Sequence, residues 1–385
     1  MHRSLDMSAP ANHNTCAEPA LTRARRVMRS VSGAMRTHYP GFVFGLPVRR
    51  GSIPVFIYHD IDPVRFAGDL EFLHRNQYRT LCLPEFLALS DRKSGYTGRS
   101  VLLTFDDARR NFFETALPVL RDFEARATLF VPTYWMRDTR QFMSWDEIRA
   151  SLGSGLVDVQ SHGHRHALVL TSDRLLDFAT PRTLARYDIY DWPLRNTLTG
   201  DASGRPALGT PVYAARPLLC ASHRFVEDPG VAAECVGFVE HSGGASFFER
   251  PNALAQLRHL HSHCAAGSPG RYLSDGAFRA LMASEFELSR DHFRRHLGYP
   301  PEYLAYPWMM GSRQSLELAS AFGIQGVFGV ALDYRRARSA RLPVPAFGRL
   351  KGDWLPLLPG SGRASFLSIA AGKITGISRT QHLAH

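Results

Sequence analysis

The stretch "VLLTFDDARRNFF", residues 101–113, joins an apolar run to two adjacent carboxylates. Four of the five residues before the aspartates are apolar and the fifth is β-branched Thr104, so this run is predicted to be a buried β-strand. The charges of Asp106 and Asp107 repel each other and are costly to bury without a cation or a shared proton. Capping of a following helix would account for one of them. From this stretch alone, a helix start and a functional site are equally good interpretations.

The same arrangement recurs along the chain from residue 53. Short apolar segments end in polar residues and are followed by helix-like segments, which predicts a parallel α/β architecture. The seven or eight strands suit a closed barrel or an open doubly wound sheet, and both collect reactive groups at the carboxyl ends of the strands. Those ends bring together Tyr58-His59-Asp60, Asp106-Asp107, Ser161-His162 and Tyr306-Pro307-Trp308.

Net charge is distributed unevenly along the 385 residues. Residues 1–50 carry +6 and residues 335–385 carry +8, so of the total of +11 the body of the chain carries −3. This distribution argues against nucleic acid as a partner of the core. The basic ends are candidates for peripheral contact with an anionic membrane. The five cysteines are widely spaced without a C-x-x-C pair, and neither a signal peptide nor an apolar stretch of spanning length is found, so we expect a cytoplasmic protein.

A second polar motif, "VDVQSHGHRH", places histidines at every second position after a predicted strand. Alternation puts His162, His164 and His166 on one side of an extended chain, and Gly163 lets the chain turn. Two histidines and one carboxylate can hold a catalytic cation with an open coordination position. A histidine-rich surface loop is the alternative. With a cation present, one aspartate of the pair could bind it while the other serves as general base.

These motifs resemble the NodB-homology polysaccharide deacetylase family, carbohydrate esterase family 4. The resemblance rests on "TFDDA", "SHGHRH", the upstream "YHD" and the downstream "LAYPW", and it covers about residues 51–350. It implies a distorted (β/α) barrel that removes acetyl groups with a divalent metal, zinc in the first place and cobalt or manganese as alternatives. It also implies Asp106 as the general base and Asp107, His162 and His166 as the metal ligands.

Two departures from the family pattern concern the remaining catalytic groups. Ala305 stands where the family often has an arginine that supports the base, and Trp308 stands where it often has tyrosine; the Trp308 backbone N–H is the expected oxyanion donor. The family's late histidine motif, which supplies the catalytic acid, has no match in "ARLPVPAFGRL". His59 is therefore the first candidate for the acid, followed by His261 or His263.

The predicted organisation comprises a basic extension at residues 1–50, a barrel at 51–350 and a basic tail at 351–385. An insertion at 188–275, rich in Gly, Pro, Ser and aromatic residues, is expected to form a cap over the site. Tyr306, Pro307 and Trp192 are expected to contact substrate. The expected activity is removal of an acyl group, N-acetyl in the first place, from an amino-sugar glycan. The alternatives are a deformylase or other amidohydrolase of a lipid-linked sugar precursor, and a non-catalytic carbohydrate-binding member of the same fold.

Overall fold

A parallel β-sheet forms the centre of the molecule in the computed structural model, which describes residues 39–91, 95–195, 205–267, 269–329 and 342–369. The strands in chain order are β1 (Val55–Tyr58), β2 (Arg79–Thr80), β3 (Ser100–Phe105), β4 (Ala127–Val131), β5 (Val157–Ser161), β6 (Leu168–Phe178), β7 (Pro193–Leu194), β8 (Pro211–Pro217), β9 (Phe225–Glu227), β10 (Gly270–Tyr272), β11 (Tyr303–Ala305), β12 (Gly326–Phe328), β13 (Ala346–Phe347) and β14 (Leu350–Lys351). The central sheet has the order β13-β12-β11-β5-β4-β3-β1-β14, with β2 beside β3, and every pair is parallel. Every residue of β3 and β4 is buried, as expected for strands covered on both faces.

The two edges of this sheet lie close together in space. β13 pairs with β12 at one edge and β14 pairs with β1 at the other, yet only residues 348 and 349 separate β13 from β14. Three Cα–Cα steps of 3.8 Å span at most about 11 Å, so the sheet must curl until its edges almost meet. β13 and β14 thus act as the two halves of one interrupted strand, which closes a distorted barrel. The predicted (β/α) barrel is confirmed.

Helices surround the barrel and follow its strands. In chain order they are α1 (Pro63–Arg75), α2 (Leu83–Ser90), α3 (Leu117–Asp122), α4 (Trp145–Gly153), α5 (Pro181–Arg186), α6 (Pro229–His241), α7 (Ala253–Cys264), α8 (Asp275–Leu297) and α9 (Arg313–Ala321). The largest core cluster lies between the sheet and α1, α3 and α4, where Phe66, Leu120 and Ile148 are fully buried against Phe105 and Leu129. Among the described helices, none has the length and apolar character needed to cross a membrane.

The described residues between 188 and 275 fold largely into regular elements, although the composition of this segment predicts a long loop. β6 pairs with β7 and β8 in a second sheet, and β9 pairs with β10. α6 begins at an Asp228 cap, and its Cys235 and Val239 pack with Phe247 and α7 residue Leu257 in a separate small core. Since β6 already starts at residue 168, this additional unit begins earlier than the expected boundary at 188.

The expected boundaries at residues 50 and 350 fall inside the barrel core. Phe42 and Val43 are buried in the largest core cluster, and so are Trp354 and Leu355 from a 3₁₀ segment that follows β14. Tyr39 and Trp354 stack with ring centroids 5.3 Å apart. The barrel domain therefore begins before residue 51 and continues beyond residue 350. Residues 1–38 and 370–385, which hold much of the basic ends, lie outside the described residues, so membrane contact stays a prediction.

Candidate metal centre and active site

Asp106 and Asp107 follow β3 at the carboxyl end of the barrel, and both are at least 95% buried. Asp107 has φ 71°, a left-handed conformation that is uncommon outside glycine but that aspartate adopts more readily than most residues. Neither aspartate caps a helix, because helical backbone begins only at residue 110 and no backbone N–H among the described residues donates to either carboxylate. The helix-start interpretation of the pair is therefore wrong, and two buried carboxylates remain to be compensated.

Three side chains converge into a candidate cation site. The Oδ1 atom of Asp107 lies 3.5 Å from the Nε2 atom of His162 and 3.5 Å from that of His166. Donor atoms held about 2.1 Å from one tetrahedral cation lie roughly 3.4 Å from each other, so these spacings fit. Asp107 Oδ1 and His162 Nε2 are buried and have no hydrogen-bond partner among the described residues. Within that same part of the chain, these three residues form the only cluster of such ligands that could hold a metal.

His162 is oriented for coordination by a backbone carbonyl. Its Nδ1 atom lies 2.8 Å from the carbonyl oxygen of Ala305. A carbonyl can only accept, so Nδ1 carries the hydrogen and Nε2 presents its lone pair toward Asp107. Burial lowers the pKa of His162, but the charges of Asp106 and Asp107 outweigh it and the pKa is raised.

His166 lies between two aromatic rings. Its ring centroid is 4.0 Å from that of Tyr190 and 4.2 Å from that of Trp308. Burial lowers its pKa to about 3, which keeps the imidazole neutral and able to bind a cation. His166 and Trp308 have φ values of 50° and 52°, so both are held in the left-handed region by the surrounding structure.

Burial tends to raise the pKa of Asp107, but the contact with His162 and the charge of His166 outweigh it and keep that pKa well below its usual range.

A glutamate from α8 holds the histidine loop in place. Glu285 is 2% exposed, and its Oε2 atom accepts hydrogen bonds from the backbone N–H groups of His164 and Arg165 at 3.0 and 2.8 Å. Its Oε1 atom accepts from the Arg165 guanidinium at 2.6 Å. Glu285 was not recognised in the sequence, because a single acidic residue in an amphipathic helix gives no signal of this role.

Asp106 remains outside the cation cluster and is held by an arginine instead. Arg349, in the break between β13 and β14, donates from Nη1 and Nη2 to the two carboxylate oxygens at 2.7 and 2.8 Å. Both side chains are almost fully buried. Burial tends to raise the pKa of Asp106, but the charge and hydrogen bonds of Arg349 outweigh this and the pKa is lowered. The chain thus supplies from residue 349 the arginine that is missing at Ala305.

The three predicted substrate contacts are buried side chains. Tyr306 is fully buried, and its hydroxyl accepts a hydrogen bond from Ser315 in α9 at 3.1 Å. Pro307 is buried beside Gly163: a methyl group added to the Cα atom of Gly163 would lie 4.0 Å from the Cγ atom of Pro307. Trp192 is 7% exposed and packs with Ala179 and Val212 inside the additional unit. Complete burial and the hydrogen bond to Ser315 correct the expectation that the Tyr306 side chain contacts substrate. Substrate contact by Pro307 and by Trp192, which lines a small cavity of the additional unit, stays a prediction.

The candidate acids differ in location. His59 follows β1 and is exposed, and its charge contributes to lowering the pKa values of Asp106 and Asp107. His261 is buried in α7 with its Nε2 atom 2.8 Å from the Tyr213 hydroxyl, within the additional unit. The position of His59 agrees with the role predicted for it, which stays a prediction. The predicted role of the Trp308 backbone N–H as oxyanion donor also stays a prediction.

His164, which lies between the two histidine ligands, is buried. Its Nδ1 atom is 2.8 Å from the Thr133 hydroxyl. Burial lowers its pKa to about 2, so the side chain is neutral and contributes to the support of the loop.

Comparison with known proteins agrees with this site. A sequence model of the family described as polysaccharide deacetylase matches residues 93–187, which include Asp106, Asp107, His162 and His166. This part of the chain thus carries the sequence pattern of the polysaccharide deacetylase family. It is 28% identical over 115 residues to the poly-β-1,6-N-acetyl-D-glucosamine N-deacetylase of Staphylococcus epidermidis, covering 29% of this chain and 39% of that protein. A protein of the same name from Staphylococcus aureus is 26% identical over 110 residues, covering 28% and 38%.

The chain therefore matches about two fifths of the length of these curated relatives. Among solved structures, the BpsB deacetylase domain from Bordetella bronchiseptica has a TM-score of 0.48 at 16% identity, covering 79% of this chain and 98% of that chain. IcaB from Ammonifex degensii has a TM-score of 0.46 at 18% identity, covering 83% and 95%.

Proposed function

We propose that this protein is a metal-dependent hydrolase that removes acyl groups, in the first place N-acetyl groups, from amino-sugar units of a glycan. The observation that carries the proposal is the division of labour between two neighbouring carboxylates. Asp107 faces two histidine nitrogens, whereas Asp106 is held ionised by Arg349 only 3.5 Å from His162. A binding module needs no buried base beside a cation site. Metal-assisted hydrolysis does need one.

Asp107, His162 and His166 would hold a divalent cation, which when bound would supply Lewis acidity toward an acyl carbonyl and a water molecule. Asp106 accepts the proton of the attacking water, since its carboxylate is ionised and has lone pairs beyond those that Arg349 uses. His59, at the rim, gives a proton to the departing amine. The backbone N–H of Trp308 is a candidate donor to the oxygen on which negative charge develops.

Two nitrogen donors and one carboxylate favour zinc, with cobalt or manganese as substitutes. Elemental analysis of the purified protein tests this assignment. We expect one equivalent of zinc per chain in the parent and no bound zinc in His162→Ala. Iron or magnesium as the bound metal in the parent would contradict the assignment.

The substrate class is proposed from the names of the relatives, both poly-β-1,6-N-acetyl-D-glucosamine N-deacetylases. The assay is acetate release from β-1,6-linked N-acetylglucosamine oligomers in the presence of zinc. We expect Asp106→Asn to lower the rate by roughly 10²–10⁴-fold while zinc stays bound, because the lost group acts only on the proton. Asp122→Asn, which removes an exposed carboxylate from α3, is the control.

An Asp106→Asn variant that releases acetate as fast as the parent would refute the role of this residue. Formate release from an N-formylated amino sugar, with no acetate release from the oligomers, would favour the deformylase alternative. Oligomer binding without release of either acid would favour a non-catalytic carbohydrate-binding protein.

A further inference from the structure

A cavity of about 230 Å³ lies beside the metal centre, at the carboxyl ends of β1 and β14. Its walls include Tyr58, His59, Asp60, Asp69, Lys351 and Gly352. The cavity adjoins the catalytic groups, because His59 lines it and acts electrostatically on both aspartates, and because the Tyr58 carbonyl accepts the Asp106 N–H at 3.0 Å. A cavity of 150 Å³ already holds a benzene ring, so this one has room for a sugar ring.

Asp69, on the second turn of α1, is a buried carboxylate that forms no ion pair among the described residues. It is 5% exposed, and its Oδ2 atom accepts a hydrogen bond from the Tyr58 hydroxyl at 3.0 Å. The guanidinium of Arg65 pairs with Asp353, and its charge acts on Asp69 only from a distance, by lowering the pKa of that carboxyl. A buried carboxylate in this state is costly unless a donor reaches it. Because Asp69 lines the cavity, a ligand bound there can supply such a donor.

The missing donor has the properties of an organic cation. Among the described residues, the carboxylates of this cavity do not converge as ligands of one ion, and the volume far exceeds that of a bare metal ion. The walls also carry the acidic groups of Asp60, Asp62 and Asp353 and the cationic groups of Arg65 and Lys351. Separated polar groups of this kind suit a ligand that carries one positive charge and several hydroxyl groups around a ring.

We propose that this cavity is a subsite for an amino-sugar unit that has already lost its acyl group, with its ammonium bound to Asp69. The proposal rests on the proposed function, because the free amine is the product of that reaction. A neutral acetamide offers Asp69 only a weak N–H donor, whereas an ammonium offers a charge-assisted hydrogen bond. The subsite thus distinguishes deacylated from acylated units next to the reacting one. Partially deacylated chains are then better ligands than fully acylated chains.

The test measures binding of glucosamine and of N-acetylglucosamine to the zinc-loaded protein near neutral pH, by saturation-transfer NMR titration. We expect glucosamine to bind more tightly than N-acetylglucosamine, and Asp69→Asn to weaken glucosamine binding roughly tenfold while leaving N-acetylglucosamine unchanged. Glu71→Gln, which removes an exposed charge from the same helix, should not change either affinity. Tyr58→Phe keeps the carboxylate and should keep the preference for glucosamine.

Equal glucosamine affinity in the parent and in Asp69→Asn would overturn the proposal, and so would loss of the preference in Tyr58→Phe. Because this readout needs no turnover, it separates the two proposals. If no acetate is released but glucosamine binding depends on Asp69, the proposed function fails and the subsite stands. If acetate is released but glucosamine does not depend on Asp69, the subsite fails and the proposed function stands.

Discussion

Replacement of Arg349 by methionine should destabilise the protein through one buried carboxylate. Arg349 makes two hydrogen bonds to Asp106, at 2.7 and 2.8 Å, and the side chains of the pair are 0% and 2% exposed. Methionine keeps much of the volume beside Phe130 but removes both donors and the charge. Asp106 is then left buried with an uncompensated charge, because burial is the largest influence on its pKa and acts to raise it.

The expected size follows from the burial of both partners. Removal of one partner of a buried ion pair costs about 3–5 kcal/mol, a large part of the 5–15 kcal/mol that typically stabilises a folded domain. The loss should depend on pH. The folded-state pKa of Asp106 is lowered, so its contribution to stability is complete above the unfolded-state value of 3.8 and is lost as pH falls through the folded-state pKa. The difference between parent and variant should therefore be largest at neutral pH and shrink in acid.

Urea unfolding in the presence of EDTA measures this difference without a contribution from metal binding. A cycle of Arg349→Met, Asp106→Asn and the double variant isolates the coupling, and we expect the double variant to be more stable than Arg349→Met alone. Arg313→Met, at an exposed pair on α9, is the control for loss of an arginine. A destabilisation by Arg349→Met that persists unchanged in the Asp106→Asn background, or that does not vary with pH, would show that Arg349 acts only through packing.

Three further outcomes are expected. Zinc at 100 times its dissociation constant should raise the free energy of unfolding by about 2.7 kcal/mol, an effect that His162→Ala should abolish and that calorimetry with and without EDTA checks. Glu285→Gln should weaken zinc binding roughly 10–100-fold by loosening the histidine loop, whereas exposed Glu287→Gln should not; equal zinc affinities would contradict this support role. Burial raises the pKa of Asp69 from 3.8 to about 6, so the folded state favours the protonated form and loses stability as pH rises between these values. Asp69→Asn should therefore be more stable than the parent above pH 6, by about 3 kcal/mol, with the gain disappearing below pH 4 in urea titrations.

The clustering of Asp107, His162 and His166 was predictable because these residues follow strands whose pattern is clear in the sequence. β3 and β5 are five or six residues long and pair with β4 on either side, so the polar residues after them must meet at one edge. Asp107 and His162 are placed by this geometry, and His166 by the turn at Gly163, whose φ is 80°. Strong local patterns and parallel pairing are sufficient to predict this part of the site.

Arg349 was not predictable from the same reasoning. It lies between two strands of two residues each, which are too short to show any periodicity, and 243 positions separate it from Asp106. The stretch "AFGRL" offers only an arginine after a glycine. Its role follows from the closure of the barrel, which depends on the pairing of both sheet edges rather than on local sequence.

The predicted role of Tyr306 failed for a different reason. A residue at the end of a strand lies at the correct edge of the barrel, but sequence does not show whether its side chain points toward the site or toward a helix. Tyr306 points toward α9 and pairs with Ser315. The helices and strands within residues 188–275 were not predicted because Gly and Pro suggested a loop, whereas Pro229 lies in the first turn of α6, where proline is favourable. The expectation that this segment caps the site stays a prediction.

The break between β13 and β14 connects completion of the barrel with completion of the site. Asp107, His162 and His166 all lie at the ends of β3 and β5, which need only β4 between them, so the cation cluster can form without the last strand. Asp106 cannot be compensated in the same way, because its arginine arrives only when β13 and β14 join the two edges. A chain that lacks this closure would bind metal but would hold its base unpaired. Metal affinity and catalytic competence should thus be separable by substitutions at Arg349 or Asp106, and inseparable by substitutions of Asp107, His162 or His166.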